Sequence, residues 1–469
     1  MTRAASEQAL AEWRDWAKRE LGGADFGDSR LSQRLVQLLE SFFSCPQGQI
    51  TQSTGTWPAA KAAYRFFSND KVLPEKILSP HRRSVIERAR EYQVVLAAGD
   101  TTMIDFTPHT CVEGLGPLAD MCHHGLMYHP TLLLTPDRVA LGLLDQEIWV
   151  RDIDTHGQRD PEEIKKLPIE EKESRKWLRS LEATERFQQE IGSATQVISI
   201  FDREGDIFEV LTRACSSSAG IGFIVRARGD RVDPEAEEMV FEMIHRQREA
   251  GRLETTVPCK NGKGVRKTVF SIRYATVTIG APHNRPVTPK TPIRLQAVEV
   301  YEEESPEDEE RICWKLFTNL PVASFADAAL VTSYYAARWG IEVFFRVLKS
   351  GCRTEARQLR KADRLIRALT LDAIVAWRIC YLTMLGRTVP DLPCTAVLAE
   401  HEWRGLWTFA YRDQPLPKQP PRLQDAIRVL ACLGGFLARA QDKEPGQTTV
   451  GRGLYALLFI GTMYQILSP

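Results

Sequence analysis

The chain has 469 residues with 61 basic and 61 acidic side chains, so its formal net charge at neutral pH is zero. This length predicts two to four domains, and the balanced charge gives no bulk sign of a nucleic-acid partner, although clustered cations can act without a net excess. No run approaches the roughly 20 apolar residues that cross a bilayer, no secretory signal is recognised, and the 10 scattered cysteines indicate reduced thiols in a cytosolic protein.

The segment 1–80 is predicted to be a helical domain of mixed charge. Asp28 is a good helix N-cap residue. Four cations follow it at helical spacings: Arg30, Arg34, Lys61 and Arg65. One interpretation is a small helical domain with ordinary surface cations. The other is a DNA-contacting module in which these side chains reach phosphates and base edges.

Two short apolar runs in the segment 81–230 each end in an aspartate. Residues 94–98 lead to Asp100, and residues 196–201 lead to Asp202. A short, mainly apolar run of this length is typical of a buried strand. The segment is therefore predicted to form an α/β core with an acid at the end of two strands.

A group of possible zinc ligands lies between these two runs. Its members are His109, Cys111, Cys122, His123, His124 and His129. Their spacing matches no common zinc pattern. Positions in loops and at strand edges are the favoured interpretation.

The rest of the chain changes character twice. A third strand of the core ends at Arg226, after which the segment 231–324 contains alternating strands with turn signals and is predicted to be an antiparallel β insertion. Trp314 lies in its last strand. The segment 325–365 is predicted to return to the core, and 366–469 is mostly helical.

One helix is predicted over residues 335–349. At about 100° per residue, its polar side chains fall within an arc of roughly 60°. They are Tyr335, Arg338, Glu342 and Lys349. The simplest interpretation is an ion pair between Arg338 and Glu342 on a solvated face. Alternatively, a carboxylate flanked by cations on an otherwise apolar helix has a partner that offsets the cost of its burial.

Three acids in the order strand, strand and helix point to a metal site. They are Asp100, Asp202 and Glu342. Each strand-end aspartate alone is more simply the cap of a turn, but carboxylates that meet at one place need a cation between them. Hard oxygen ligands suit Mg²⁺ or Mn²⁺, and two such ions about 3.5–4 Å apart can catalyse phosphoryl transfer.

These residues also carry a resemblance to a known family. Gly99-Asp100-Thr-Thr, Phe201-Asp202-Arg-Glu-Gly-Asp and Tyr335-(2)-Arg338-(3)-Glu342-(6)-Lys349 resemble the three signature regions of bacterial cut-and-paste DDE transposases of the insertion-sequence-four family. The last region fits the family's Y-(2)-R-(3)-E-(6)-K signature at every spacing, and further similarity covers nearly the whole chain. Near Ser44 and Cys45 the chain departs from the family pattern, so the DNA end that it recognises is expected to differ.

The resemblance implies a fold and a set of roles. The fold would be α/β, with a ribonuclease-H-like catalytic core, the inserted antiparallel β subdomain at 231–324, the end-binding domain at 1–80 and a helical dimerisation region at 366–469. The catalytic, metal-binding triad would be Asp100, Asp202 and Glu342, with two Mg²⁺ ions per active site and Mn²⁺ as a substitute. The DNA contacts would be Tyr335, Arg338, Lys349, Arg226, Arg30, Arg34, Lys61 and Arg65, and Trp314 would stack on a flipped base.

The implied function is that of a DNA transposase. The protein would bind inverted repeats as a homodimer, cleave the strands, form and resolve a hairpin, and transfer the end into target DNA. It would work in the bacterial cytoplasm at the nucleoid and have no membrane partner. Two alternatives remain: an inactive or domesticated relative that only binds ends, and a ribonuclease-H-fold nuclease without strand transfer.

Overall fold

The computed structural model of the chain describes residues 16–158, 160–259, 264–282, 290–306 and 310–467. The predicted N-terminal domain is thus described from residue 16 onward. Three short stretches of the predicted β insertion, and the last two residues of the chain, lie outside the described residues.

Five helices form the described part of the N-terminal segment. They are α1 (Trp16–Leu21), α2 (Ser29–Ser44), α3 (Ile50–Thr54), α4 (Trp57–Phe67) and α5 (Pro74–Ala89). The Asp28 side chain caps α2 by accepting a hydrogen bond from the backbone N–H of Arg30. Leu35, Leu38 and Phe42 form the buried stripe of this helix, so its polar face is left to solvent.

The core of the fold is a mixed sheet. Its strands are β1 (Val94–Gly99), β2 (Thr102–Asp105), β3 (Gly116–Pro117), β4 (His124–Leu134), β5 (Ala140–Trp149), β6 (Gln196–Phe201) and β7 (Gly222–Arg226). The main order is β5–β4–β1–β6–β7, in which β1, β6 and β7 are parallel and β4 is antiparallel to both of its neighbours.

Helices connect the parallel strands, as such connections require. They are α6 (Pro161–Lys166) and α7 (Arg175–Ile191) before β6, and α8 (Phe208–Cys215) between β6 and β7. Trp177 of α7 is buried against the β6 residue Phe201, with ring centroids 5.1 Å apart. The predicted ribonuclease-H-like α/β core is confirmed.

The β insertion continues the core sheet. Its elements are β8 (Val232–Asp233), β9 (Glu238–Met239), α9 (Val240–His245), β10 (Gly251–Pro258), β11 (Val265–Ile279), β12 (Ile293–Glu302) and β13 (Cys313–Thr318). Strand β13 pairs with β7, so the order runs on as β7–β13–β12–β11–β10 in one sheet of 11 strands. The insertion is thereby fixed rigidly to the core.

The segment from residue 325 onward is mostly helical. Its helices are α10 (Phe325–Ala337), α11 (Trp339–Arg346), α12 (Ala362–Thr388), α13 (Glu400–Ala410), α14 (Leu423–Leu433) and α15 (Gln447–Leu467). Helix α12 runs through the interior with most of its side chains buried, and it contacts β5 and the N-terminal helices as well as α15. It therefore connects the two ends of the chain to the core.

The prediction of one continuous helix over 335–349 is wrong. Helix α10 ends at Ala337, α11 begins at Trp339, and a π-helical turn follows at Val347–Gly351. The N–H of Arg338 bonds to the Tyr335 carbonyl at 3.1 Å, an i to i−3 bond that tightens the turn. The regular helix is therefore interrupted at Arg338.

Two helices are long and apolar enough to cross a membrane by length and composition alone, so the prediction that no run approaches that length is also wrong. In α12, 83% of the apolar window is buried inside the protein, as expected of a core helix. In α15 the buried share is 33%, and Phe459, Met463 and Ile466 are exposed.

Candidate active site

The two strand-end aspartates lie side by side. Strands β1 and β6 are parallel neighbours, and their register pairs Ala98 with Ile200. Continuing that register by two residues places Asp100 beside Asp202, and neighbouring strands are about 4.8 Å apart. Both side chains are partly buried at the same edge of the sheet.

Arg338 connects the strand ends to the helix. Its Nη1 donates to Asp100 Oδ2 at 2.8 Å, and its Nη2 donates to Glu342 Oε1 at 3.0 Å. The charge of Asp202 also acts on this guanidinium. The predicted i, i+4 ion pair is therefore present, but Arg338 is only 14% exposed and lies among three carboxylates instead of on a solvated face.

Burial sets the acidity of Asp100. It raises the pKa of this carboxyl to about 6, with a further upward push from the charge of Asp202, although Arg338 acts in the opposite direction. Because the pKa of Asp100 stays raised even beside Arg338, one guanidinium does not supply enough positive charge to offset the burial of the ionised carboxylate.

The donor set fits divalent metal ions. The three predicted ligands offer only carboxylate oxygens, which Mg²⁺ and Mn²⁺ prefer, and the raised pKa of Asp100 shows a need for added positive charge. Among the described residues, no group of three or more His, Cys, Asp or Glu side chains is drawn together tightly enough to hold an ion. In this conformation the guanidinium of Arg338 holds two of the three carboxylates instead.

The raised pKa of Asp100 predicts a pH-dependent stability. Because the folded state binds this proton more tightly than the unfolded state, the stability contributed by Asp100 is lost as the pH rises from about 4 to 6, by up to about 3 kcal/mol. Asp100→Asn is therefore expected to unfold at a higher temperature relative to wild type at pH 7.5 than at pH 4.5. Thermal unfolding at both pH values tests this. Asp413→Asn, in an exposed turn, is the control, and an equal offset at both pH values would contradict the assignment.

A cavity of about 430 Å³ opens beside the carboxylates and is called here the catalytic cavity. Its lining includes five of the predicted site residues: Asp202, Arg226, Trp314, Tyr335 and Arg338. The rings of Trp314 and Tyr335 meet edge to face, with centroids 5.0 Å apart. The pairing of β13 with β7 sets Leu316 opposite Arg226, which brings the end of the insertion to this cavity.

The side chain of Trp314 is partly buried. One neighbour is Phe270, whose ring is stacked at 6.4 Å between centroids. The other side reaches the catalytic cavity. The side chain is thus anchored in the insertion while a part of it stays accessible.

Lys349 lies apart from the catalytic cavity. It sits in the π-helical turn, and its Nζ is 3.6 Å from Glu355 Oε1. The same carboxylate oxygen accepts the backbone N–H of Asp105 at 3.1 Å. Lys349 therefore follows the helix break at Arg338 in the chain, and it lies near β2, the strand that contains Asp105.

The predicted cations of the N-terminal segment lie on α2 and α4. Arg30 is 88% exposed and pairs with Asp28 at 2.9 Å, while Lys61 and Arg65 are exposed and Arg34 is half-buried. This domain meets the core close to Lys349, since Gln49 Nε2 donates to the Ala356 carbonyl at 2.7 Å. The four cations are not among the residues that line the catalytic cavity.

Sequence reasoning missed the environment of His129. The residue is buried in β4, and its Nδ1 lies 2.9 Å from Thr101 Oγ1, next to Asp100 in the chain. Burial, helped by the charges of Lys176 and Arg179, holds the pKa of His129 well below its usual range. His129 therefore supports the loop that carries Asp100. An isolated histidine in an apolar strand was the available signal.

Sheet order, paired strand-end aspartates and a glutamate on the following helix define the class of a ribonuclease-H-like protein of DDE type. Three family models match this chain: Transposase DNA-binding at residues 13–72, Transposase DDE domain at 207–378, and Transposase Tn5 dimerisation domain at 374–465. Together they show that the chain belongs to the Tn5-like DDE transposases, which confirms the resemblance and is consistent with the insertion-sequence-four family. The DDE match includes Glu342 but begins after Asp100 and Asp202.

The chain is also similar to a solved structure, the cryo-EM structure of the piggyBac transposase synaptic complex with hairpin DNA, at 8% sequence identity and a TM-score of 0.36, with 100% of this chain and 84% of that chain covered.

The domain matches establish the coarse function. The protein is a DNA transposase with a DNA-binding domain, a DDE domain of the kind that cleaves and transfers DNA, and a dimerisation domain. Its partners are accordingly DNA and a second copy of the chain. DDE transposases generally use divalent metal ions.

Proposed function

We propose that this protein binds the inverted repeats at transposon ends and moves the element by a cut-and-paste route: strand cleavage, hairpin formation and resolution, and strand transfer into target DNA. The observation that carries the proposal is the meeting of Asp100, Asp202 and Glu342 around Arg338. The protein would act in the bacterial cytoplasm at the nucleoid.

In this proposal Asp100, Asp202 and Glu342 would hold two Mg²⁺ ions, for which Mn²⁺ could substitute. Metal ions bound there would supply the activation of a water or a 3′-hydroxyl and the stabilisation of the leaving oxygen of the phosphodiester. The side chain of Arg338 is released from the carboxylates and turns its planar fork to a DNA phosphate, a geometry that suits guanidinium groups. Its present contacts with Asp100 and Glu342 offset part of the negative charge of the site before DNA arrives.

The remaining predicted residues divide between two DNA contacts. Tyr335 and Arg226, which line the catalytic cavity, hold the phosphates next to the cleavage point, and Lys349 grips the end on the side of the N-terminal domain. The end sequence is read by the domain at 1–80, through Arg30, Arg34, Lys61 and Arg65. The helical region at 366–469 forms the dimer, for which the exposed apolar residues of α15 are suited.

Trp314→Ala is expected to block the hairpin step. Flipping a base out of a duplex costs a few kcal/mol, and stacking on an aromatic ring returns about 1–3 kcal/mol. The variant is therefore expected to nick the first strand at close to the wild-type rate and to form hairpin ends at least about tenfold more slowly. Denaturing gels of end-labelled DNA separate the two products, and Trp314→Phe is expected to recover part of the rate. Equal loss of nicking and hairpin formation would contradict the stacking role.

The proposed function is tested with DNA bounded by the repeats that flank the gene, together with a target plasmid and Mg²⁺. Nicked ends, hairpins, double-strand breaks and joined products are expected in that order. Binding without any cleavage would instead identify an end-binding relative. Cleavage by wild type, but no joining of pre-cut ends to the plasmid, would identify a nuclease.

A further inference from the structure

The two strand-end aspartates are held by the same kind of contact. The Oδ1 atom of Asp100 accepts the backbone N–H of Thr101 at 2.7 Å. The Oδ1 atom of Asp202 accepts the backbone N–H of Glu204 at 2.8 Å. Each bond fixes one oxygen of a carboxylate, so the direction of the other oxygen depends on where the donor residue lies. Side chains that hold Thr101 and Glu204 in place therefore also set how the carboxylates face a metal ion.

The side chain of Glu204 is held by helix α7. Its Oε2 accepts a hydrogen bond from Lys176 Nζ at 3.0 Å. The side chain of Glu204 is 62% exposed, whereas that of Lys176 is only 10% exposed. Burying an ammonium group costs free energy, and the face of the Trp177 ring, 5.7 Å away at its centroid, offsets part of that cost. Lys176 thus extends from beneath the turn that follows Asp202 to hold it in place.

Thr101 is held through the next residue of the same helix. Its hydroxyl lies 2.9 Å from His129 Nδ1, and the imidazole ring meets Trp177 edge to face, with centroids 4.7 Å apart. The buried Trp177 ring also packs against Phe201, the residue before Asp202. The first turn of α7 therefore supports both aspartates, one through Lys176 and the other through the packing of Trp177 on His129.

His129 carries a cost in stability that an apolar side chain would avoid. It is 2% exposed, and its Nε2 has no hydrogen-bond partner among the residues that the structure describes. A buried polar atom without a partner is destabilising, and replacing it by an apolar group of similar shape can be nearly neutral. Stability alone therefore does not account for a histidine at this place, whereas its bond to Thr101 does.

We propose that His129 and Lys176 are positioning residues, which set how tightly the two strand-end aspartates bind divalent metal ions. Each acts through the residue that donates a backbone N–H to a carboxylate, and neither touches a carboxylate of the triad. The inference rests on the proposed function, because it takes the aspartates to be metal ligands. When either contact is removed, the carboxylate stays at its strand end but samples more orientations, and its affinity for the ion falls.

The first experiment measures Mn²⁺ binding by electron paramagnetic resonance on the full chain bound to a pre-cut transposon end, so the readout does not need activity. Asp100→Asn identifies the Mn²⁺ signal that belongs to the site. His129→Leu is expected to weaken this binding by about 10–100-fold and to unfold near the wild-type temperature. His129→Asn, whose amide can take the place of Nδ1, is expected to recover much of the affinity. Wild-type affinity in His129→Leu, or equal losses in both variants, would overturn the role of the Thr101 bond.

Lys176→Met tests the contact with the other aspartate. The substitution keeps the apolar stem and removes the ammonium, and because Glu204 is exposed, water can replace the lost bond without cost to the fold. Mn²⁺ binding is expected to weaken by about tenfold. Lys166→Met, exposed at the end of α6, is the matched control. Unchanged affinity in Lys176→Met, or an equal loss in the control, would overturn the role of Lys176.

Hydrogen exchange without metal ions or DNA tests the same contacts independently of the proposed function. In His129→Leu, the peptide that contains Thr101 is expected to exchange about fivefold faster, while the peptide that contains Glu204 keeps its wild-type rate. Lys176→Met is expected to show the reverse pattern. Wild-type exchange in both variants would overturn the proposal.

The two experiments together separate this inference from the proposed function. If wild type binds Mn²⁺ at the site but the variants bind it equally well, the positioning role fails and the proposed function stands. If the exchange rates change as expected but wild type binds no Mn²⁺ that Asp100→Asn abolishes, the proposed function fails. The effect on metal affinity then fails with it, and the contacts with Thr101 and Glu204 serve the fold alone.

Discussion

Glu342→Gln is expected to abolish DNA cleavage while binding to transposon ends is retained. The substitution keeps the size of the side chain but replaces a carboxylate oxygen with an amide, which is a poor ligand for the metal ions proposed here. Even groups that only orient a metal ligand change affinity or activity by 10–100-fold when they are altered. Loss of a ligand itself is therefore expected to reduce cleavage by well over about 100-fold.

The fold should tolerate this change. Glu342 is 37% exposed, and its side chain accepts a hydrogen bond from Arg338, so the loss of its charge is expected to cost less than about 1 kcal/mol. Cleavage in Mg²⁺ and end binding by gel shift are measured together. Glu87→Gln is the matched control, because Glu87 is 70% exposed and pairs only with the nearby Arg90 among the interactions described. Cleavage by Glu342→Gln at more than a tenth of the wild-type rate would mean that the triad is misassigned.

The strand-end aspartates could be predicted because of how parallel strands are buried. A strand covered on both faces is mostly apolar along its length, and the first charged residue marks its end, as Asp100 and Asp202 do. The parallel pairing of β1 and β6 then places them together. The local sequence pattern was enough to predict where the two aspartates lie, because their positions depend only on where two straight strands end.

Features that depend on contacts between distant segments could not be predicted in the same way. The helix break at Arg338 is marked by two i to i−3 hydrogen bonds, from the N–H of Arg338 to the Tyr335 carbonyl and from the N–H of Ile341 to the Arg338 carbonyl, and it is invisible to helical periodicity. The pairing of β13 with β7 joins strands almost 90 residues apart and turns the insertion into an extension of the core. That pairing also brings Arg226 and Trp314 together at the catalytic cavity, although the two residues share no common pattern in the sequence.

The contact between Arg357 and Asp372 is the strongest example of this kind, and it predicts the largest change in stability. Arg357 donates from Nη2 to Asp372 Oδ1 at 2.7 Å and from Nε to Oδ2 at 3.0 Å, and the two side chains are 2% and 0% exposed. The guanidinium also donates to the carbonyls of Gly48 and Pro46 and lies 4.4 Å over the ring of Phe42. One buried arginine thus joins the N-terminal domain to helix α12.

Arg357→Met is expected to destabilise the protein by about 3–5 kcal/mol, because it leaves the carboxylate of Asp372 buried without its cation. Adding Asp372→Leu should recover much of that loss, since apolar residues of similar volume often replace a buried ion pair without a penalty. Urea unfolding measures both variants, and limited proteolysis of residues 16–89 reports whether the N-terminal domain stays docked. Arg294→Met is the surface control.

The ion pair with Asp372 and the hydrogen bonds to Gly48 and Pro46 predict different behaviour of the single and the double variant. If the unpaired carboxylate causes the loss, the single variant should also regain stability at acid pH, because burial already raises the pKa of Asp372 against the pull of Arg357. If the lost bonds to Gly48 and Pro46 dominate, both variants should be equally unstable at every pH and equally open to protease. That second result would mean that Arg357 serves to dock the end-binding domain, with Asp372 present only to hold the guanidinium in place.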